Sequence, residues 1–536
     1  METTKLWQAG IVYQIYPRSF QDSNDDGIGD IQGIISRLDY LKEFGVDMIW
    51  LSPVYQSPND DNGYDISDYK SINPEYGNMD DMDELIFLAR EKGIRIIMDL
   101  VINHTSDEHA WFIASKNGDP KYRDYYIWKD KPNNWTSFFG GSAWDKEGEQ
   151  YYLHLFSKKQ PDLNWNNPMV MNEIKEIMHF WLKKGIYGFR CDVINIIYKS
   201  SLENGKKRFV LTGREFYHSQ EGCHEILRTL RKEVLDHYDA FTVGETVMVT
   251  TQEANDLILP ERKELDMVFG FEHMETDQIN NKWFKTKFNP NKFMKVISKW
   301  QTQVHWNANY LENHDQPRSV SRFGNDSRYH DLSAKMLATL NLTLKGTPYI
   351  FEGQEIGMTN GDFASMSQFM DVETHRIDAI AKKMHFPKWY RWKLIKRTSR
   401  DNARTPMQWN AQGGFSNAVP WLKINANTDR INVEENFKNK SSIYHYYRHL
   451  IQLRKDNDVL INGSFKPIYT RKNLFIFERS YDNKTYIVIL NMSHKKTKTK
   501  TLFRGKILLS NTNRTVSIDP VILPFEAMII EKEGKV

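Results

Sequence analysis

Residues 79–104 read MDDMDELIFLAREKGIRIIMDLVINH. The first half predicts a helix over 80–92. Asp80, Asp81 and Asp83 load its start, Leu85, Ile86, Leu88 and Ala89 supply an apolar face, and Gly93 stops it. The second half, RIIMDLV from Arg95, is a short apolar run ending in Asn103 and His104, as a buried strand does. Runs of the same kind recur at Ile11 (IVYQIYP), Met48 (MIWLSP), Gly188 (GFRCDV) and Phe241 (FTVGET). Others begin at Met267 (MVFGFE), Ala308 (ANYLENHD) and Thr347 (TPYIFEG). Helical patterns fall between most of them, over 37–44, 172–184, 225–237 and 331–344. Eight strands alternating with helices imply an α/β fold with a parallel sheet, and eight is the number that closes a (β/α)8 TIM barrel. A doubly wound open sheet is the alternative. No glycine-rich phosphate loop follows the first strand, which counts against it.

Two connections are too long for simple loops. Residues 104–171, rich in Trp, Tyr, Asn and Gly, are expected to form a small subdomain inserted after the third strand. Residues 354–440 mix a helical part, 372–400, with an irregular part around TPMQWNAQGGFS. From 463 the pattern changes to alternating strands: NLFIFERSY, KTYIVILNMS, GKILLS and AMIIEK. The barrel is thus expected over 1–103 and 172–462, the insert over 104–171, and a C-terminal β-sandwich over 463–536.

The 536 residues carry 72 Lys and Arg against 69 Asp and Glu, a net charge of +3. Nucleic-acid proteins concentrate a basic excess, so no nucleic-acid partner is expected. The basic stretch HKKTKTKT, His494–Thr501, reads as a solvated strand edge or turn. There is no apolar run of 18 residues, no apolar stretch behind a basic start, and no cysteine framework, since Cys191 and Cys223 are the two cysteines. A cytoplasmic chain without a membrane partner, monomeric or weakly homodimeric, is the expectation. Aromatic residues reach 13%, with 15 Trp; most belong in the core, and some suit the platforms of a sugar cleft.

A β/α barrel carries its site at the C-terminal strand ends. The polar residues there are Asp99, Asn103 and His104, then Arg190 and Asp192, then Glu245, then Glu312, Asn313, His314 and Asp315. Arg190 and Asp192 are two apart and share one strand face. Glycoside hydrolysis needs one protonated and one ionised carboxyl group. Crowded carboxylates keep a proton on one of them, and an adjacent arginine keeps another ionised. Each residue alone is as readily a helix cap or a structural group. A divalent-metal hydrolase remains the rival on these residues, since His and Asp also bind metals.

The motifs DLVINH (Asp99–His104), QPDLNW (Gln160–Trp165), GFRCDVIN (Gly188–Asn195), GET (Gly244–Thr246) and ENHDQPR (Glu312–Arg318) occur in this order. With YQIYPRSFQDSNDDGIGD, SPNDDNGYDISDY and ARTPMQW they span nearly the whole chain. The chain resembles the α-amylase superfamily (glycoside hydrolase family 13), near its oligo-1,6-glucosidases. The resemblance implies Asp192 as nucleophile, Glu245 as acid/base and Asp315 as the group that fixes the sugar 2- and 3-hydroxyls. It implies that Arg190 orients Asp192 and that His104 and His314 bind hydroxyls of the same sugar. Asp61 with Arg404 resembles the pair holding the 4-hydroxyl in exo-acting members, Tyr64 the stacking platform, and Phe156 and Gln160 the pocket lining. Val193, after the nucleophile, goes with α-1,6 preference, where alanine or threonine goes with α-1,4. The first loop, with Asp22, Asn24, Asp26, Asp30 and the Ile28 carbonyl, resembles a structural calcium or magnesium site; no cofactor is implied for catalysis. Short α-glucosides such as isomalto-oligosaccharides are the implied substrates. Trehalose-6-phosphate hydrolase shares nearly all these motifs and would need cations for phosphate, with Lys282, Lys285 and Lys287 as candidates. Related α-glucosidases of α-1,4 or sucrose preference, and a catalytically inactive binding relative, are further alternatives. Two features depart from the pattern. Cys191 precedes the nucleophile, which predicts inactivation by thiol reagents, and FEGQEIGM has Glu352 and Gln354 where relatives read QGEE. The stretch HFPKWYRWK, from His385, matches nothing in the pattern.

Overall fold

A computed structural model describes residues 4–208, 210–279, 281–499, 503–515 and 520–533. Lys500 and Thr501 of the basic stretch and the Lys282 side chain lie outside the described residues. Eight strands follow the expected runs: β1 Val12–Ile15, β2 Met48–Leu51, β3 Arg95–Leu100, β4 Gly188–Cys191, β5 Phe241–Glu245, β6 Met267–Phe269, β7 Ala308–Asn309 and β8 Thr347–Phe351. They form one sheet in the order β6-β5-β4-β3-β2-β1-β8-β7. That order is sequential and cyclic, with β8 beside β1. A doubly wound sheet would reverse direction at a switch point instead. The fold is the (β/α)8 barrel the sequence predicts.

By internal contacts the chain divides into two units, Asp30–Ile35 with Trp50–Gly270, and Met1–Gly29 with Ser36–Ile49 and Phe271–Val536. The first holds β3 to β6, all paired in parallel. Its register sets Asp99 opposite Arg190, and Arg190 opposite Val243. The helix before β3, α1 Met79–Glu91, starts one residue earlier than predicted because Asn78 caps it. Asn78 Oδ1 accepts from Asp80 N at 2.8 Å, and the Asp81 carboxylate accepts from Asn78 N at 2.8 Å. Met82, Leu85, Ile86 and Ala89 are its buried face. The helix predicted over 172–184 begins earlier, as α2 Pro168–Lys184, because Asn167 caps it and Pro168 occupies its first position. Within the long connection after β3 lies a three-stranded antiparallel sheet of Trp128–Lys129, Gln150–Leu153 and Trp144–Glu147.

The second unit holds β1, β8 and β7, paired in parallel, and a five-stranded antiparallel sheet beginning at Ser464. The helical part predicted over 372–400 is two helices, α3 Val372–Lys383 and α4 Lys388–Thr398. Pro387 cannot continue a helix, and His385 turns the chain with a φ of 61°.

Candidate active site

The register at the ends of β3, β4 and β5 gathers three carboxylates around one arginine. Arg190 Nη1 donates to Asp192 Oδ1 at 2.6 Å and also to Asp99 Oδ1, while Nη2 donates to Glu245 Oε2 at 2.6 Å. Asp99 is fully buried and is held besides by Trp50 Nε1 at 2.8 Å. Burial would lower the Arg190 pKa, but the surrounding carboxylates, Asp99 first, raise it well above its ordinary value. Burial pushes Asp192 up to about 6, against the pull of Arg190. Interaction with Glu245 and the Arg190 hydrogen bond act in the lowering direction, and burial outweighs them. Burial likewise raises Asp99 to about 6.

The acid limb of kcat/KM, which reports the free enzyme, is therefore expected near pH 6 rather than at the ordinary carboxylate value. Rate against pH on isomaltose checks this. A limb centred near 4 would contradict the Asp192 environment described.

Val193 follows Asp192 with φ 37° and ψ 39°, a left-handed conformation that a β-branched residue rarely adopts. The strain turns its N–H onto Glu245 Oε2 at 3.3 Å. Its side chain joins an apolar cluster with Trp144, Leu153 and Tyr217, against which Phe156 also lies.

A second network in the same unit holds the other predicted pocket residues. His104 is buried, which lowers its pKa to about 4 and keeps it neutral. Its Nε2 donates to the Tyr64 carbonyl at 3.1 Å, and its Nδ1 accepts from Asn103 Nδ2 at 3.1 Å. Gln160 Nε2 donates to Asp61 Oδ2 at 3.3 Å, and Phe156 leans on the His104 ring at 5.2 Å. The Arg190 guanidinium lies 5.7 Å from the Tyr64 ring centre. Behind His104, Lys199 Nζ pairs with Asp162 at 2.6 Å and donates to Asn103 Oδ1 at 2.8 Å.

Asp315, His314 and Arg404 belong to the unit of β1, β7 and β8. Asp315 Oδ1 accepts from Arg404 Nη2 at 2.7 Å and lies 3.5 Å from Arg400 Nη1. The Arg404 Nε donates to the His314 carbonyl at 2.9 Å, and Gln14 Nε2 lies 2.8 Å from His314 Nδ1. Arg404 Nη1 is buried with no hydrogen-bond partner among the described residues, so it is a donor in wait of an acceptor. Arg400 is held by buried Asp371 at 2.7 Å. Glu312 is engaged by Arg318 at 3.2 Å and is structural.

Asp99 is among the polar strand-end residues of the sequence but has no role assigned there, and nothing in the sequence marks Lys199, Asp162, Arg400 or Asp371 as site residues. Asp162, like Asp99, does lie inside a quoted motif. Arg400 stands four residues before Arg404 with no pattern to mark it.

Other expectations meet their surroundings here. Cys191 and Cys223 are buried and free, and burial raises the Cys191 thiol to about 12. A protonated, inaccessible thiol is unreactive, which removes the basis for expecting thiol-reagent inactivation. Glu352 Oε2 accepts from Tyr16 N at 2.9 Å, and burial pushes this carboxyl well above its ordinary range. Gln354 Oε1 accepts from Phe351 N at 3.2 Å, while Glu352 Oε1 and Gln354 Nε2 are buried without a hydrogen-bond partner among the described residues, so the departure from QGEE is only partly satisfied locally.

In the first loop Asp22 Oδ1 accepts from Asn24 N at 3.0 Å, Asn24 Oδ1 from Asp26 N at 3.0 Å, and Asp26 Oδ1 from Ile28 N at 2.8 Å. Gly27 turns the loop at φ +89°, where a Cβ would meet the Val419 carbonyl at 2.2 Å. Asp30 Oδ1 instead accepts from Gly33 N at 2.6 Å. The donors are hard oxygens of the kind calcium takes. No group of three His, Cys, Asp or Glu side chains is arranged for a metal among the described residues.

Residues 14–463 match the family described as alpha amylase, catalytic domain. An oligo-1,6-glucosidase of Bacillus cereus is 47% identical, covering 98% of this chain and 99% of its own length. One from Parageobacillus thermoglucosidasius is 49% identical over 91% of each chain. The crystal structure of Bacillus licheniformis trehalose-6-phosphate hydrolase superposes with a TM-score of 0.94 at 42% identity, covering 98% of this chain and 100% of that one. Motif order, the sequential order of the eight strands and full-length similarity agree: the chain belongs to the α-amylase family of glycoside hydrolases.

Proposed function

We propose that the protein is a retaining, exo-acting α-glucosidase that cuts α-1,6 bonds at the non-reducing end of isomalto-oligosaccharides and related short α-glucosides. The observation that carries this is the Arg190 fork, with Asp192 on one nitrogen and Glu245 on the other. A nucleophile and an acid/base held on one guanidinium suit the double displacement of a retaining enzyme. Asp192 attacks the anomeric carbon as the glycosidic bond breaks, and Glu245 protonates the departing oxygen. Glu245 then takes a proton from water, which attacks the same carbon and frees Asp192. Asp315 holds the 2- and 3-hydroxyls, and His104 and His314 bind hydroxyls. Tyr64 is the platform, Phe156 and Gln160 line the pocket, and Asp61 with Arg404 takes the 4-hydroxyl. The unsatisfied Arg404 Nη1 suits that last role.

The trehalose 6-phosphate reading needs free cations. Of its candidates, Lys285 is engaged by buried Asp277 at 3.0 Å, whereas Lys287 is exposed and forms no ion pair among the described residues. The choice of a neutral leaving sugar therefore rests on Val193 and the oligo-1,6-glucosidase motifs. A panel of isomaltose, panose, maltose, sucrose, trehalose and trehalose 6-phosphate tests the choice, and turnover confined to the last would overturn it. On this reading Val193→Ala raises the maltose-to-isomaltose ratio of kcat/KM by about tenfold, the usual worth of a small change of pocket volume.

No described helix is long and apolar enough to cross a membrane. The two buried free thiols suit a reducing cytoplasm. Asp22, Asn24, Asp26 and the Ile28 carbonyl would hold a structural calcium or magnesium ion, remote from the chemistry, with Asp30 completing the predicted set. Calcium at a hundred times its Kd then stabilises by about 2.7 kcal/mol. Chelation is expected to lower the Tm and calcium to restore it; an unchanged Tm would remove the ion from this account.

A further inference from the structure

The stretch HFPKWYRWK, which the glycosidase motifs leave unexplained, closes a helical hairpin of α3 and α4. Its inner side is anchored. Ile377, Trp392 and Leu394 lie against a core of Trp283, Phe363, Phe369 and Ile395. Its outer side is different. Trp389 is 68% exposed, Met384 55% and Ile380 37%. Ile380 and Met384 are one helical turn apart, and Met384 ends α3 where the chain turns toward Trp389. Trp389, Tyr390 and Phe386 form an edge-to-face aromatic tip.

Charge is concentrated on the same hairpin. Residues 382–397 hold seven Lys and Arg and no Asp or Glu, in a chain whose total is only +3. Arg391 is neutralised by Asp378. Lys382, Lys383, Lys388, Lys393 and Lys396 are exposed and form no ion pair among the described residues.

We propose that this hairpin is a peripheral docking surface for an anionic lipid bilayer, with the lysines against phosphate headgroups and Trp389, Met384 and Ile380 entering the interface. Exposed tryptophan beside aliphatic side chains and a lysine cluster is the pairing that an acyl–headgroup boundary stabilises. A nucleic acid would use flat rings and planar guanidinium groups. It would gain nothing from Ile380 or Met384, and five of the six cations outside the Arg391 pair are lysines.

The test is co-sedimentation of the full chain with phosphatidylcholine vesicles, with and without phosphatidylglycerol. Binding is expected only to the anionic vesicles, and to weaken as salt rises. Each lysine near such a surface is worth about fivefold, so combined Lys382→Gln, Lys383→Gln and Lys388→Gln should weaken binding about a hundredfold. Trp389→Ser should weaken it separately at high salt, where the apolar part remains. Both variants should hydrolyse isomaltose as the parent does, which shows that they fold. Equal binding to neutral vesicles, binding unaffected by the triple substitution, or retention of single-stranded RNA without vesicle binding would each overturn the proposal.

Discussion

Asp192→Asn is expected to lower kcat/KM on isomaltose by about 10⁵-fold or more, while making the fold more stable by about 1–3 kcal/mol at pH 7. The first effect follows from chemistry. An amide cannot supply the electron pair that forms the bond to the anomeric carbon. The second follows from burial, which raises Asp192 from an ordinary 3.8 to about 6. A carboxyl group whose folded pKa is raised binds its proton more tightly in the folded state. Its contribution is therefore lost as pH rises from about 4 through about 6, and above that window the ionised form costs stability. Asparagine carries no charge to desolvate. Arg190 keeps Asp99 and Glu245 as partners, so no cation is stranded. The gain should be present at pH 7 and vanish near pH 4, as chemical denaturation at the two values would show. An inactive variant that is destabilised at pH 7 would point to damage to the fold rather than removal of a nucleophile.

That site was partly legible from spacing. Arg190 and Asp192, two apart on a strand, had to share a face, and strand counting brought Glu245 to the neighbouring end. What spacing could not show was the role of Asp99. Its residue type suits a cap or a ligand equally, and only the register that sets it opposite Arg190 reveals it as the counter-charge. The strain at Val193 was equally hidden. A valine reads as an ordinary core residue, and its left-handed backbone exists because the chain must turn sharply after the nucleophile. Lys199 is illegible in the sequence for a related reason. It is buried against Asp162, and a lysine in sequence reads as solvated. The break between α3 and α4 was readable at Pro387, yet the helical pattern on both sides concealed it. Total charge concealed the basic hairpin in the same way, since an average over 536 residues erases a cluster of seven.

Glu245→Gln is expected to separate the two chemical steps that Asp192→Asn abolishes together. On isomaltose the departing sugar oxygen must be protonated, and loss of the acid should cost about 10²–10⁴-fold. Glutamine keeps the size of the side chain, and Arg190 keeps both aspartates. A p-nitrophenyl α-glucoside leaves as an anion that is stable near neutral pH, so its first step should be slowed far less. The second step still lacks a base for water. The glycosyl-enzyme should then accumulate, with a burst of nitrophenol equal to the enzyme present followed by slow turnover. Azide needs no base. It should restore turnover and give the α-glucosyl azide, because it attacks the face that water would have used. Asp192→Asn should show neither the burst nor the spared nitrophenyl substrate. If Glu245→Gln lost activity equally on both substrates, with no burst and no azide product, Glu245 would be holding Arg190 in place rather than moving a proton.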